Sequence, residues 1–474
     1  MPLHDPSRRQ ALKFAAKFTA TTLGAGPLAA RLFGQTKRSR EFNVRDYGAT
    51  GDGITPDTAA IQRAIDEAAA SGTGARVLVP GGRRYLIGAI QLKGAIDFHL
   101  ADDAELLAST RPEDFGPARA VLHAQDVQGL SLTGTGRLNG RSREFMLSYD
   151  EQDEWWRPQA FRPRLALLTG CTDLVVRDVT FTQAPSWTLH LLGCDRVQVD
   201  AVKIHNELDV PNCDGIDPDH CKNVEISNCH ITCGDDAIVV KTSRAGAAYG
   251  GSANIKVRDC VLETQDSGVK IGTETVGDIR DVRFERCEIR SCGRGCTIQL
   301  RDEGDVSGVV FRDITFQARY HSAPWWGRGE AISFTALPRN PRTKVGKLSH
   351  VRVEQVTGRA ENSVRISGGA ESRISDVVFD NVDVTLDRWT RYPGGVWDNR
   401  PTTAYPGLEP HGTPGIHVRH ADNVSLRRCR IGWGSNRPDY FTHALEAHDV
   451  TGLTYPDFTG EAAHPGRDAA IMVR

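Results

Sequence analysis

The residues best placed to do chemistry lie in one stretch, Pro211 to Lys241, PNCDGIDPDHCKNVEISNCHITCGDDAIVVK. It carries Asp214, Asp217, Asp219, Asp235 and Asp236, set at the ends of short apolar runs rather than along a solvated helix face. Asp214 precedes the Asp235–Asp236 pair by 21 and 22 residues. If the intervening chain makes one turn of a repeating structure, that spacing stacks the three carboxylates. Carboxylates brought so close repel, and protonation of one member or a bound cation relieves the repulsion. A carboxyl group kept protonated is a general acid, and an ionised neighbour is a general base. Glycoside hydrolysis uses that pairing.

A repeat of the required length is present. The runs VEISNCHI (224–231), IKVRDCVL (255–262), VRFERCEI (282–289), VVFRDITF (309–316) and VSLRRCRI (424–431) share one pattern. Apolar residues alternate, a polar pair breaks the alternation, and it resumes. Val202, Cys229, Cys260, Cys287 and Ile314 occupy one place in the pattern, separated by 27, 31, 27 and 27 residues. Units of this size cannot bury their apolar faces alone and must stack. Hairpin signals between neighbouring runs, which an antiparallel sandwich needs, are mostly absent. The expected fold is therefore all-β: a single-domain right-handed parallel β-helix over residues 41–474. The apolar spacing of Ala60, Ile61, Ala64, Ile65 and Ala68 predicts one helix, about 59–70, capped by Asp57 or Thr58 and closing the N-terminal end of the stack. Long loops are expected at 140–163, 318–347 and 386–414, and loops of that length on a rigid fold are usually functional.

Composition narrows the function classes. With 58 basic and 60 acidic residues the net charge is −2, so no bulk electrostatic attraction to nucleic acid or an anionic membrane is expected. Of the eleven cysteines, Cys229, Cys260, Cys287 and Cys429 fall in the repeat as small buried hydrophobes. Cys213, Cys221 and Cys233 are close enough in sequence for a bridge among them. Zinc-ligand spacing is absent, and no metal or other cofactor is expected. Residues 1–40 read as an export segment: Ser7-Arg8-Arg9-Gln10-Ala11-Leu12-Lys13 resembles the twin-arginine motif, and a weakly apolar run too short for a membrane span follows. A periplasmic or secreted protein, free of the membrane once the segment is removed, is the expectation.

The motifs also resemble those of glycoside hydrolase family 28, the polygalacturonase family of pectin-degrading β-helix enzymes. Asn212-Cys213-Asp214 stands where that family has N-T-D, and Gly234-Asp235-Asp236 matches its G/Q-D-D at the matching separation. Ala184 to His190 and the opening FNVRDYGATGDGITPDTAAIQRAI are similar to family segments as well. The resemblance implies an inverting hydrolase in which Asp235 protonates the leaving oxygen. Asp214 and Asp236 activate water, and Asn212 orients Asp214 or the sugar. Two family motifs are altered. Ser267 takes the place of the S-G-H-G histidine, and Thr297-Ile298-Gln299 replaces R-I-K, which grips the galacturonate carboxylate. Ser267 and Gln299 then belong to a changed sugar site, with Lys270 and Arg301 as candidate replacement cations. On strand parity Arg301 faces the same way as Gln299.

Lesser candidates have structural alternatives. Trp325 and Trp326 stack on sugar rings or pack their loop against the stack. The same choice applies to Trp155 and Trp156 with Arg157 and Arg162, and to Trp389, Tyr392 and Trp397. Asp217 and Asp219 are expected to serve a turn, and His190 to be a satisfied buried histidine. Glu274, Glu303 and Asp305 are expected at the surface. The leading reading is an exo-acting hydrolase of pectic glycans with carbohydrate as its partner. The rivals are a relative that acts on a sugar other than galacturonate, a β-helix polysaccharide lyase using calcium and a lysine or arginine base, and a non-catalytic carbohydrate-binding solenoid.

Overall fold

The computed structural model describes residues 40–72 and 74–474. The twin-arginine-like segment lies outside them. The chain winds into a right-handed parallel β-helix whose coils each contribute a strand to three parallel stacks. One coil supplies strands Leu189–Leu192, Asp195–Asp200 and Lys203–His205; the next supplies Ile216–Asp219, Lys222–Ser227 and His230–Cys233. Register is one residue over one residue: Leu189 pairs with Ile216, which pairs with Ile238, then Val269, Cys296 and Ile332. Stacking begins earlier than the visible repeat, since Phe42 already pairs with Val77 and Val77 with Phe98.

The polar pair that interrupts each run has a backbone cause. Its second member adopts a left-handed conformation, as at Asn228 (φ 55°), Asp259 (57°), Arg286 (51°), Asp313 (53°) and Arg428 (49°). Asn and Asp tolerate that region best. The bend turns a corner, so the next residue points inward again. Val202, Cys229, Cys260, Cys287, Ile314 and Cys429 are accordingly buried in the core. All eleven cysteines are buried free thiols. The bridge considered among Cys213, Cys221 and Cys233 is not formed; the Cys213 thiol instead accepts the Gly234 N–H at 3.0 Å.

The helix Thr58–Ala70 packs its alanines and isoleucines onto the first coils as its periodicity requires. Its capping differs from expectation. The Asp57 carboxylate makes no cap and accepts the Thr50 and Gly51 N–H groups instead, at 2.7 and 3.0 Å, and Thr58 accepts Gly88 N–H. The helix is too short to cross a membrane, and no helix among the described residues is long and apolar enough to do so.

The long loops are more ordered than a loop reading implies. A hairpin pairs Met146–Asp150 with Trp155–Pro158, and another pairs Val396–Asp398 with Leu408–Pro410. Residues 318–347 are not one loop: Glu330–Ala336 is a fully buried strand of the stack. The remainder interlocks into one wall. Trp325 donates to Glu154 O at 3.2 Å, Ser322 to Asp153 O at 2.5 Å, and Arg400 to Trp325 O at 2.6 Å.

Candidate active site

Coil register brings the three aspartates together. Gly215 N–H bonds Asp236 O, and Ala237 N–H bonds Ser267 O, so Asp214, Asp236 and Ser267 succeed one another up the stack. Ser267 then pairs with Arg294, and Arg294 with Glu330. Oxygens of Asp214, Asp235 and Asp236 lie within 4.8 Å of one another. Gly234 lets the chain turn there: a Cβ would lie 2.1 Å from Val210 O. A cleft of 290 Å³ opens over the carboxylates, and Trp187, Asn212, Glu274, Gln299, Trp326, Arg400 and Pro401 form part of its lining.

Two lysines separate the roles of the three carboxylates. Lys241 Nζ lies 3.1 Å from Asp214 and 2.9 Å from Asp217, over the face of Trp187. Lys270 Nζ lies 2.7 Å from Asp236 and 3.4 Å from Asp266. Among the described residues, no lysine or arginine pairs with Asp235. Its side chain meets the Asp236 N–H at 2.9 Å and the Asn212 amide at 3.4 Å. Burial, with the charges of Asp214 and Asp236, pushes its carboxyl far above the ordinary range. Burial and the charge of Asp266 also raise Asp236, to about 7, against the opposing pull of Lys270. For Lys241, burial alone would favour the neutral amine, but the charges of Asp214, Asp217 and Glu274 outweigh it and hold the ammonium firmly protonated. Of Asp214, Asp235 and Asp236, Asp235 is the one that faces no lysine, which favours its protonated form.

The same carboxylate oxygens could in principle grip a cation. Lys241 and Lys270 already compensate the charge on Asp214 and Asp236, though not on Asp235. A second group able to hold a metal, His417, Glu446 and His448, lies further along the same sheet, where His417 pairs with Glu446.

The family model for glycosyl hydrolases family 28 matches residues 70–391. The chain belongs to glycoside hydrolase family 28. It is a divergent member. A probable polygalacturonase of Vitis vinifera is 28% identical over 381 residues, covering 74% of this chain and 75% of that protein. A polygalacturonase of Juniperus ashei is 28% identical over 253 residues, covering 50% of this chain and 46% of that one. Among solved structures, an exopolygalacturonase of Thermotoga maritima superposes with a TM-score of 0.63 at 20% identity, over 83% of this chain and 92% of that one. A family 28 exopolygalacturonase of Yersinia enterocolitica gives 0.64 at 17% identity, over 92% and 78%. These superpositions support the β-helix.

Within this family 28 site, Asp214, Asp235, Asp236, Asn212, Lys270, Gln299 and Trp326 line one cleft, as their sequence positions suggested. Asn212 adopts the left-handed region (φ 60°), and Arg162 donates to its side-chain oxygen at 2.9 Å, which aims its amide nitrogen at Asp235. Three candidates lie elsewhere. Ser267 sits behind the carboxylates, fully buried, donating to Asp266 at 3.0 Å. Arg301 is also fully buried and donates to Leu300 O, Thr335 and Asn399 O at 3.2, 2.9 and 3.2 Å. The 396–410 hairpin region covers it. Trp325 is likewise fully buried, edge-on to Trp155, so it builds the wall while its neighbour Trp326 faces the cleft.

Asp217 and Asp219 are not turn residues. They lie on the strand Ile216–Asp219, Asp217 against Lys241 and Asp219 bonded to His190 at 3.2 Å and to Ser243. Burial keeps the His190 imidazole neutral; its Nε2 meets Asp219 but its Nδ1 has no partner among the described residues, so it is buried as expected yet only half satisfied. Glu274 does line the cleft, whereas Glu303 and Asp305 are exposed beyond it.

Sequence reading missed Lys241, Asp266, Arg294 and Arg400. Two were within its reach. Arg294 lies 27 residues after Ser267, one coil on, and Lys241 closes the strand that follows the Asp235–Asp236 pair. Arg400 arrives on a loop about a hundred residues away from Gln299, and no local pattern announces it.

Proposed function

We propose that the protein is an inverting glycoside hydrolase that cleaves pectic glycans from a chain end. The observation that carries this is the division of three buried aspartates between two lysines. Asp235 donates its proton to the glycosidic oxygen as the bond from that oxygen to the anomeric carbon breaks. Water held between Asp214 and Asp236 adds to the anomeric carbon from the other face and gives up its proton to one of them. Asn212 steadies Asp235 and the sugar. The pectic substrate class rests on membership of the family and on the polygalacturonases it resembles. A lyase reading is disfavoured because, of the bases it would use, Lys270 is bound between carboxylates and Arg301 is fully buried and hydrogen-bonded away from the cleft.

The chain-end mode is supported by the wall of residues 318–329, 387–411 and the 146–158 hairpin, which places Trp326, Arg400 and Pro401 at the cleft. The twin-arginine-like segment supports action outside the cytoplasm, where pectic glycans are met. Inversion needs its own test. Inverting carboxyl pairs are generally about 6.5–9.5 Å apart, while the nearest oxygens here lie within 4.8 Å. Proton NMR of early product, using pectic oligosaccharides of defined length, reads both points. The expected result is a first-formed anomer opposite to the linkage cleaved, released in units of one size. Product that retains its anomeric configuration would overturn the inverting step, and random-length products the chain-end mode.

A further inference from the structure

We propose that the sugar unit bound beside the scissile bond is neutral, because Asp266 and Asp398 occupy the positions from which a uronate carboxylate would have to bind the cleft's cations. This deepens the hydrolase reading of the same site and rests on it. Recognition of an acidic sugar requires a cation free to pair with it, usually an arginine presenting two parallel N–H groups. The cleft lining holds four cations, Lys241, Lys270, Arg294 and Arg400, and each is engaged by the protein.

Lys241 and Lys270 are held by the carboxylates described above. Arg294 is 1% exposed; its Nη1 donates to Asp266 at 2.6 Å, while its Nη2 is ion-paired with Asp398 at 3.0 Å without a well-directed hydrogen bond. Arg400 turns its guanidinium onto Asp398, at 2.8 and 2.9 Å, and onto the carbonyls of Ala323, Pro324 and Trp325. A uronate entering here would have to displace Asp266 or Asp398 and leave it buried without a partner, or sit beside them as an added like charge. Both are costly.

The neutral side chains beside these ion pairs are suited to hydroxyl groups. Gln299 is 1% exposed and its amide nitrogen points to Arg400 O at 3.4 Å, which turns its side-chain oxygen the other way. Among the described residues that oxygen has no hydrogen-bond partner, and neither has the hydroxyl of Thr297, two residues earlier on the same strand and fully buried. These are the residues standing where the family's R-I-K motif falls. An unpartnered buried acceptor gains from a sugar O–H and is repelled by a carboxylate. Cations that would grip an acid have been replaced by groups that bond an alcohol, and the remaining cations are neutralised internally.

The test uses the full chain and matched sugars differing only at C6: galactose against galacturonate and glucose against glucuronate. A panel of neutral pentoses and deoxyhexoses accompanies them. Binding is read by calorimetry and hydrolysis by kcat/KM on glycosides of the same sugars. The neutral member of each pair that binds is expected to be tighter by about tenfold or more, the scale of a like-charge penalty. Asp398→Asn and, separately, Asp266→Asn each release an arm of Arg294. Both variants should tighten uronate binding about tenfold while changing the neutral sugar far less. A uronate that binds the wild-type protein more tightly than its neutral partner overturns the proposal, as does a panel in which no neutral sugar binds. If sugars bind but no glycoside is cleaved, the hydrolase reading fails while the binding comparison still decides this one.

Discussion

The two sides of the cleft handle charge in opposite ways. Around Asp214, Asp235 and Asp236 the ions do not balance locally, and the deficit leaves Asp235 holding a proton. Around Asp266, Arg294 and Asp398 anions and cations alternate, so that each charge has an opposite charge beside it. Both regions are equally buried, so burial alone does not create reactivity. An acid becomes usable where the protein withholds its counterion. A recognition surface becomes blind to charge where the protein supplies its own.

The largest effect should come from Asp235→Asn. Because Asp235 already carries its proton, the amide is nearly isosteric and neutral like the acid it replaces. The fold should be unchanged by circular dichroism, while kcat falls about 10²–10⁴-fold. Activity near wild type would remove Asp235 from the reaction. Next in size are two variants that unbalance the ions. Lys241→Met strands Asp214 and Asp217, and Arg294→Met takes the shared cation from Asp266 and Asp398, which keep only Lys270 and Arg400 respectively. Each should cost about 3–5 kcal/mol in denaturant unfolding, the cost of breaking a buried pair. If Arg294→Met were as stable as wild type, the alternating side would be less tightly built than its distances indicate.

The two neighbouring tryptophans separate wall from cleft. Trp325→Ala should lose about 3–5 kcal/mol of stability by emptying a packed site. Trp326→Ala should keep its unfolding midpoint and raise KM, since of the two only Trp326 lines the cleft. The smallest effect is a pH trend. Asp236 is raised from 3.8 to about 7, so the folded state binds its proton more tightly than the unfolded chain does. Its favourable contribution is complete below the unfolded value and lost as pH rises towards 7. The stability of Asp236→Asn relative to wild type should therefore improve from pH 4 to pH 7 and then level off. A constant difference across that range would show that Asp236 titrates normally.

The repeat made much of this legible. The spacing of Val202, Cys229, Cys260, Cys287 and Ile314 reports the coil length directly, because each coil must return one small apolar side chain to the same corner. Coil length then stacks Asp214 beside Asp236. The sequence is less informative about which polar side chains see solvent. Strand parity does put Arg301 on the side of Gln299, but Asn399 closes over it. Parity decides the face and says nothing of a cover arriving from about a hundred residues away. Trp325 and Trp326 illustrate the same limit: adjacent residues on a loop have no periodicity to separate the buried one from the exposed one. Asp217 and Asp219 looked like turn residues because their lysine and histidine partners lie on neighbouring coils.

The wall beside the cleft has a consequence for when the enzyme becomes active. The three aspartates meet as soon as two successive coils are wound. The wall joins Glu154 to Arg391 and Tyr392, and Asp398 to Arg294, across long stretches of chain. An emerging polypeptide would thus carry its acid and base early but lack a shaped pocket until its last coils had stacked. Catalytic competence is then a readout of finished folding, and a protein released half-wound would be chemically equipped yet unable to hold its substrate.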